Sequence, residues 1–496
     1  MSGYGVFMTH SELIRMDALF ARGLRDRLGL GSVAVVHGKR DRAAAEAEQA
    51  FDRVVDVVER FEPTGAERRV AANLARLAEL EREGGEATLY QDIYQDRWLL
   101  GRFDQPFLAD YLAHGTGVLQ EVLAGDVRLV MGEMTMALYR TARRLALGRA
   151  PFLYPMNARF FWRFYFEDDL ELGWRRCCQT YAAFRRDGIP DGPRREAEAA
   201  LAAIVEKQIP HAAFSVMRRF ASAGAEPLHA KLQRQRIANH VAYWRQDFPE
   251  RRRNPRIQMP PWEMSPLGMV TRWAREHRNL RFLRAHSLRN LPEEQAFCSY
   301  FLHYQPEYTV EGVGFPVVDQ AALVRTIAQS LPVEMLLLVK EQPFMAGCRP
   351  EAFYRALLAL PNVRLVAEDA NSRELIRRSR CVFSISGTSA LEALFFGIPA
   401  VLFSRVFHSG FDGITRVLDL YSLPDRVRKL LAQGPRDTRE SSLAALAAMY
   451  TESYDGLLMT EIADPSLVLN EANAVALGTG LARELARRDE EGTTDC

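Results

Sequence analysis

Residues 381–403 read CVFSISGTSALEALFFGIPAVLF. The run opens as a buried strand, Cys381–Ser386, passes through a polar turn, Gly387-Thr388-Ser389, and continues as a short apolar helix. Gly397 closes that helix, and Pro399 starts the exit into a second strand, Ala400–Phe403. Small hydroxyl residues and a glycine at a strand-to-helix turn leave backbone N–H groups directed at any anion bound there. In an open α/β sheet the carboxyl ends of the strands are where ligands bind, so this turn predicts a phosphate or nucleotide site.

Working outward, the rhythm repeats. Strands are expected at Phe297–Tyr304, Met335–Val339 and Val363–Val366. Helices are expected over 317–330, at Arg349–Leu360 with Pro350 in its first turn, and at Ser372–Ser379 behind an Asn371/Glu374 capping box. This amounts to one Rossmann-like domain over 291–420, followed by a helical tail over 421–496 whose last residues, Asp489–Cys496, are expected to be disordered. Towards the N-terminus, Ser32–Val36, Val127–Met131 and Pro151–Tyr154 read as strands. Helical patterns follow near Ala43–Phe61 and up to about Leu147, giving an N-terminal α/β domain over 1–164. Between the two, 165–290 is strand-poor and reads as a helical, basic insert. Its part 231–290 holds fourteen Lys and Arg against four acids, from Lys231 and Arg234 to Arg284 and Arg289. Such an excess is either a solvated helical face or a surface that meets an anionic partner such as lipid headgroups.

Composition sets outer bounds. The 496 residues exceed one ordinary core, and the formal net charge of +1 gives no global electrostatic signal. The six cysteines form no CxxC pair, which fits free thiols in a reducing compartment, and the histidines show no closely spaced metal pattern. No run is apolar enough to span a bilayer, the start is unlike a signal peptide, and no nucleic-acid module accompanies the basic stretch. A cytoplasmic location, peripheral at the inner face of the membrane, is the expectation. No cofactor and no metal is expected.

Three polar clusters follow strands of the second half: His303-Tyr304-Gln305-Pro306-Glu307, Lys340-Glu341-Gln342-Pro343, and Ser386-Gly387-Thr388-Ser389 with Glu392. In a parallel sheet they share one edge. Lys340 suits a phosphate as a point charge. Gln305 or Gln342 suits a base or sugar, and Glu307 a hydroxyl. Simpler readings stand beside these. Ser389 and Glu392 fit an S-x-x-E capping box, Lys340 and Glu341 a surface pair, and Ser384 and Ser386 backbone-bonded core hydroxyls. In the first half Glu133 follows VRLVM-Gly132 at a strand end, where an acid could activate an acceptor or merely complement a helix dipole. His37-Gly38-Lys39 is placed similarly.

The segments YFLHYQPEYTV (300–310), DQAALVRTIAQSLP (319–332), LLVKEQPF (337–344) and 360–403 resemble the bacterial capsule polysaccharide biosynthesis family. That family is grouped with GT-B-like glycosyltransferases, including Kdo transferases and polysialyltransferases. The resemblance implies two Rossmann-like domains facing a cleft, with a nucleotide-sugar donor, CMP- or UDP-activated, held mainly by the second. It implies a saccharide or lipid-linked acceptor. Taken with the strand-end residues read above, the candidate donor-binding residues are Gln305, Lys340, Gln342, Ser386, Gly387, Thr388, Ser389 and Glu392, and the candidate catalytic acid is Glu133 or Glu307, activating the acceptor hydroxyl; the resemblance itself places the turn at Ser386-Gly387-Thr388-Ser389 on the donor phosphate. Family members carry Lys-Glu-His-Pro, whose histidine contacts the donor phosphate. Here Gln342 takes that place, and glutamine can donate a neutral hydrogen bond but cannot titrate. A nucleotide-sugar epimerase-like enzyme and a non-catalytic binding or scaffold protein of a polysaccharide assembly complex are the alternatives.

Overall fold

The computed structural model of the protein describes residues 3–11, 13–84, 87–99, 101–206, 237–238, 241–242, 245, 248–257, 265–458 and 465–494. The chain divides into two compact units. One comprises residues 1–168, 235–264 and 453–496, and the other 169–234 and 265–452. Neither unit follows the boundaries expected from the sequence, because each is built from separate stretches of chain.

In the N-terminal unit the strands are β1 (Tyr4–Met8), β2 (Gly31–Val36), β3 (Arg53–Asp56), β4 (Val127–Gly132), β5 (Phe152–Asn157) and β6 (Arg163–Glu167). A last strand, β14 (Tyr454–Asp455), completes the sheet, whose order is β14-β6-β5-β4-β1-β2-β3. From β3 to β5 neighbours are parallel, whereas β6 and β14 run antiparallel at one edge. β2 is buried along its whole length, as expected of a strand covered on both faces. The helical pattern expected near Ala43–Phe61 is instead a helix, Lys39–Ala47, followed by β3.

The C-terminal unit holds β7 (Ser287–Leu288), β8 (Phe297–Phe301), β9 (Leu336–Lys340), β10 (Val363–Val366), β11 (Val382–Ser384), β12 (Ala400–Leu402) and β13 (Ile414–Arg416). All seven are parallel, in the order β13-β12-β11-β8-β9-β10-β7. Counted from the first strand of each core, both sheets run 3-2-1-4-5, the doubly wound order, with the switch point at β1/β4 in one and β8/β11 in the other. Two Rossmann-like units in one chain are the GT-B-like α/β class expected from the sequence.

Local signals explain several boundaries. Asn371 caps Ser372–Arg378, accepting from the backbone N–H groups of Arg373 and Glu374. Gly397 follows the helix Ser389–Phe395 at φ +69°, a left-handed conformation that costs glycine least, and a Cβ there would lie 2.5 Å from the Arg436 carbonyl. The strand-poor stretch supplies the helices Arg175–Asp187, Asp191–Val205 and Pro266–Ala285. The residues Asp489–Thr494, expected to be disordered, belong to the long helix Glu471–Thr494.

That long helix packs on Ile14–Leu28 so closely that a Cβ added to Gly23 would lie 2.4 Å from the Gly478 Cα. Backbone cannot retreat as a flexible side chain can. Gly23→Leu should therefore destabilise the N-terminal unit by about 1–3 kcal/mol, as overpacked cores do. Thermal melting checks this, and an unchanged melting temperature would mean the two helices do not pack through these glycines.

Candidate functional site

The carboxyl edge of the C-terminal sheet gathers all three polar clusters, because β8, β9 and β11 are parallel neighbours in one sheet. His303, two residues beyond β8, sits at the switch point. It is buried, and its Nε2 accepts from the Ile385 N–H at 3.1 Å and meets Ser384 Oγ at 3.1 Å. Ser384 Oγ in turn accepts the Gly387 N–H at 3.0 Å. Because Nε2 is an acceptor, the ring proton is on Nδ1. Burial, with the nearby Arg349 charge, pushes His303 down to about 4, so it stays neutral at physiological pH. Its backbone is held too: the Gln320 side chain accepts its N–H at 2.7 Å, and Arg349 donates to its carbonyl. Gly387 must be small here, since a Cβ would lie 2.7 Å from Ser384 Oγ and 3.0 Å from His303 Cε1.

Several sequence-selected residues are engaged internally. Lys340 is buried and donates to the Glu368 carbonyl at 2.7 Å; burial lowers its amine to about 8. Glu341 is not half of a surface pair with it. Glu341 points into the core, where it accepts from Arg349 and from the Tyr354 hydroxyl, each at 2.8 Å. Gln305 is tied to Glu311, the Val318 carbonyl and Gln320. Ser386 donates to the Thr309 carbonyl, and Glu307 accepts from the Thr309 hydroxyl at the start of a short turn of helix. Thr388 is the N-cap of Ser389–Phe395, but no side chain caps that helix, so the Ser389/Glu392 capping box is not formed. Ser389 Oγ is buried without a partner. Glu392 is buried, and desolvation raises it to about 7 against the pull of Arg373. Gln342 is half-buried at the end of β9. Gln342, Gly387, Thr388, Ser389, Glu392 and His303 therefore form the part of the edge that a ligand could use.

The N-terminal sheet has a matching arrangement. His10 lies two residues beyond β1, and Glu133 immediately follows β4, again at the switch point. His10 Nε2 and Glu133 Oε1 are 2.6 Å apart, and Thr135 donates to the same oxygen at 2.6 Å. Burial alone would raise the Glu133 carboxyl, but the His10 and Thr135 hydrogen bonds and the His10 charge outweigh it and hold it near 2. Glu133 is thus a carboxylate that only accepts, so Nε2 carries a proton, and His10 Nδ1 is buried with no partner. Sequence reasoning selected Glu133 but missed His10. The available signal was the apolar run Tyr4-Gly5-Val6-Phe7-Met8 before Thr9-His10.

Two buried carboxyls give the protein a pH dependence of defined sign. Burial raises Asp17 to about 8 and Glu392 to about 7, so both hold protons in the folded state that the unfolded chain releases. Their stability contribution is full below the ordinary carboxyl range and is lost as pH rises through these values. His303 and His37, both held below 6.5, act with the opposite sign, but only below 6.5. Lys340 enters near 8, also with the opposite sign. The melting temperature should therefore fall between pH 6.5 and 8. Asp17→Asn should flatten that slope; an unchanged slope would show that Asp17 titrates normally.

No protein-family model matches the chain, and no curated protein sequence does. Solved structures match the chain at low similarity. The beta Kdo 2,7 transferase KpsC of Thermosulfurimonas dismutans is 11% identical, with 66% of this chain and 79% of that chain covered and a TM-score of 0.31. UDP-GlcNAc 2-epimerase of Neisseria meningitidis, bound to UDP-GlcNAc, is 11% identical over 98% of this chain and 100% of its own, with a TM-score of 0.26. HepE of Anabaena, in complex with UDP and glucose, is 10% identical over 98% and 100%, with a TM-score of 0.29.

Proposed function

We propose that the protein is a nucleotide-sugar-dependent glycosyltransferase of surface or capsular polysaccharide biosynthesis, acting on a saccharide or lipid-linked acceptor. The observation that carries this reading is the buried His10–Glu133 pair at a Rossmann-type switch point, with its basic nitrogen unengaged. A carboxylate held near 2 is too weak a base to take a hydroxyl proton. His10 Nδ1 is the base, and Glu133 is the positioning residue that fixes its tautomer. In the transfer the acceptor oxygen forms a bond to the anomeric carbon as His10 takes its proton. The bond from that carbon to the phosphate oxygen breaks, and its electron pair leaves with the nucleotide. The C-terminal unit holds the donor. The N–H groups at the Gly387–Ser389 turn, the neutral Nδ1–H of His303 and the Gln342 amide supply donors to the phosphates without requiring a titrating cation. Glu392, raised to about 7 and so partly protonated at neutral pH, can hydrogen-bond a hydroxyl.

The test is a thermal-shift screen against CMP-, UDP-, GDP- and dTDP-sugars, since a ligand of the folded state raises its melting temperature. Stabilisation by none of them at saturating concentration would remove the donor site. Release of free nucleotide without any acceptor, accompanied by an altered free sugar, would favour the epimerase-like alternative. Binding without turnover would favour the scaffold.

Attachment to an anionic membrane face belongs to the same proposal. Arg253, Arg256, Arg272 and Arg284 of the basic stretch pair with Glu250, Asp41, Glu276 and Glu368, and no helix among the described residues is long and apolar enough to cross a membrane. Lys231, Arg234 and Arg236 lie outside the described residues. Arg275, Arg278 and Arg281 are exposed at three-residue spacing along Pro266–Ala285 and so share one side of the helix. Replacing all three with Gln should abolish sedimentation with phosphatidylserine vesicles at low ionic strength. Equal sedimentation of the wild type with neutral vesicles would remove the idea.

A further inference from the structure

The proton transfer to His10 leaves a neighbouring set of buried polar atoms without a role. His37, directly after β2, is 3% exposed, and neither of its ring nitrogens has a hydrogen-bond partner. Tyr139, fully buried on the helix Ala137–Ala146, has none for its hydroxyl. Its ring packs against both histidines, with centroids 6.3 Å from His10 and 5.7 Å from His37. Arg256 lies over the Trp98 ring at 5.6 Å, and Arg256 Nε and Trp98 Nε1 are likewise buried without partners. The backbone around the cluster is fixed. Asp41 accepts from Ser11, beside His10, and from Arg256 at 2.7 Å. Asp96 accepts from the N–H groups of both Trp98 and Ala137, tying the Trp98 turn to the helix that carries Tyr139.

We propose that His10, His37, Tyr139, Trp98 and Arg256 form a subsite for the hydroxyl-bearing face of a neutral sugar ring, which is the acceptor. The inference rests on the reading of His10 as the base. The choice of ligand class follows from the donors and acceptors present. Burial and the Arg256 charge keep His37 neutral, so it offers one N–H and one lone pair. Tyr139 offers a hydroxyl that donates and accepts, and His10 Nδ1 offers a lone pair. Arg256 Nε and Trp98 Nε1 only donate. A set mixing both functions is satisfied by vicinal hydroxyls, each of which donates and accepts. A phosphate or carboxylate would satisfy only the N–H donors and would face two imidazole lone pairs. Arg256 is already paired with Asp41, and a second cation, Arg97, stacks over the Trp98 ring with its guanidinium carbon 4.7 Å from the centroid. The two imidazole lone pairs thus favour a neutral ring over one carrying an acidic group at this position.

The test uses the whole chain labelled with ¹⁵N-histidine and reads the ring nitrogens by NMR, assigning His10 and His37 by substitution. The probes are methyl β-glucoside, methyl β-galactoside, methyl β-glucuronide and inorganic phosphate. At least one neutral glycoside should shift the ring nitrogens of both His37 and His10, while glucuronide and phosphate should not. Tyr139→Phe should weaken the glycoside response about threefold to tenfold, the loss of one hydrogen bond. His37→Gln provides the same comparison if that variant does not fold. The inference is overturned if no neutral glycoside shifts these nitrogens at saturation, if the acidic probes shift them equally, or if both variants respond like the wild type. Nucleotide binding to the same samples, followed by calorimetry, separates the two proposals. It should persist in Tyr139→Phe, and its absence in the wild type would remove the donor site while leaving the glycoside result to stand or fall alone.

Discussion

His10→Ala should lower turnover by about 10²- to 10⁴-fold while leaving donor affinity within about twofold of the wild type. The base acts as the acceptor proton departs and contributes little to holding the donor, so the loss should appear in kcat rather than in the donor dissociation constant. Glu133→Gln is the more discriminating variant. The carboxylate accepts the Nε2 proton, whereas an amide can present its NH2 group to Nε2 and so move the ring proton to Nδ1, where the base must be free. A substantial loss of kcat is expected from a side chain that never touches substrate. Steady-state kinetics with the donor found by screening, together with calorimetric titration of the same donor, decides the matter. A His10→Ala enzyme with kcat within about threefold of the wild type would end the assignment.

Gly387→Val should abolish nucleotide binding, with a loss of at least about 100-fold in affinity, at a stability cost of about 1–3 kcal/mol. The new side chain would begin 2.7 Å from Ser384 Oγ and 3.0 Å from His303 Cε1, so the serine–histidine relay and the backbone turn could not both stay in place. His303 and Ser384 are buried, so neither can swing into solvent to make room. Replacing Thr388 and Ser389 together with Leu should have a similar effect on binding from the other side of the turn, by filling the space in which a phosphate would meet the amides. Calorimetry on both variants, with near-UV circular dichroism to confirm that each is folded, separates binding from stability. Unchanged affinity in both would show that the turn is a structural link between β11 and its helix and nothing more.

The C-terminal sheet was largely readable because its strands are buried on both faces and bounded by strong turn residues. Val363–Val366 is the strand observed, and Ala400–Leu402 differs from expectation by one residue. The N-terminal sheet was harder to read. Its central strand, Tyr4–Met8, is five residues long, contains a glycine and lacks a helical pattern before it to set a rhythm, although Val6–Met8 is completely buried. Missing that strand meant missing His10, because a histidine gains meaning here only from its place at a switch point. Strands β7 and β14, two residues each, carry no periodicity to detect. The site shows the same division. Residue type and position after a strand located Glu133, Gly387 and Glu392. They could not show that Lys340, Gln305 and Ser386 turn to internal partners, since that depends on Glu368, Gln320 and Thr309, which are distant or unremarkable in sequence.

The seating of the helix Glu471–Thr494 on Ile14–Leu28 has a consequence for how the chain comes to be folded during synthesis. The N-terminal unit contains residues made before those of the C-terminal unit, yet its sheet edge at β14 and the helix over Gly23 come from beyond residue 452. The C-terminal unit needs nothing beyond that residue. On the ribosome the usual order is therefore reversed: the later-encoded unit can close first. The earlier one waits with Phe20, Leu24 and Phe164 uncovered, and these pack in one cluster with Leu477 and Leu481 once the final helix arrives. A premature stop shortly after 452 would leave a competent C-terminal unit joined to an aggregation-prone one. Expression of such truncations should yield insoluble chains that chaperones retain.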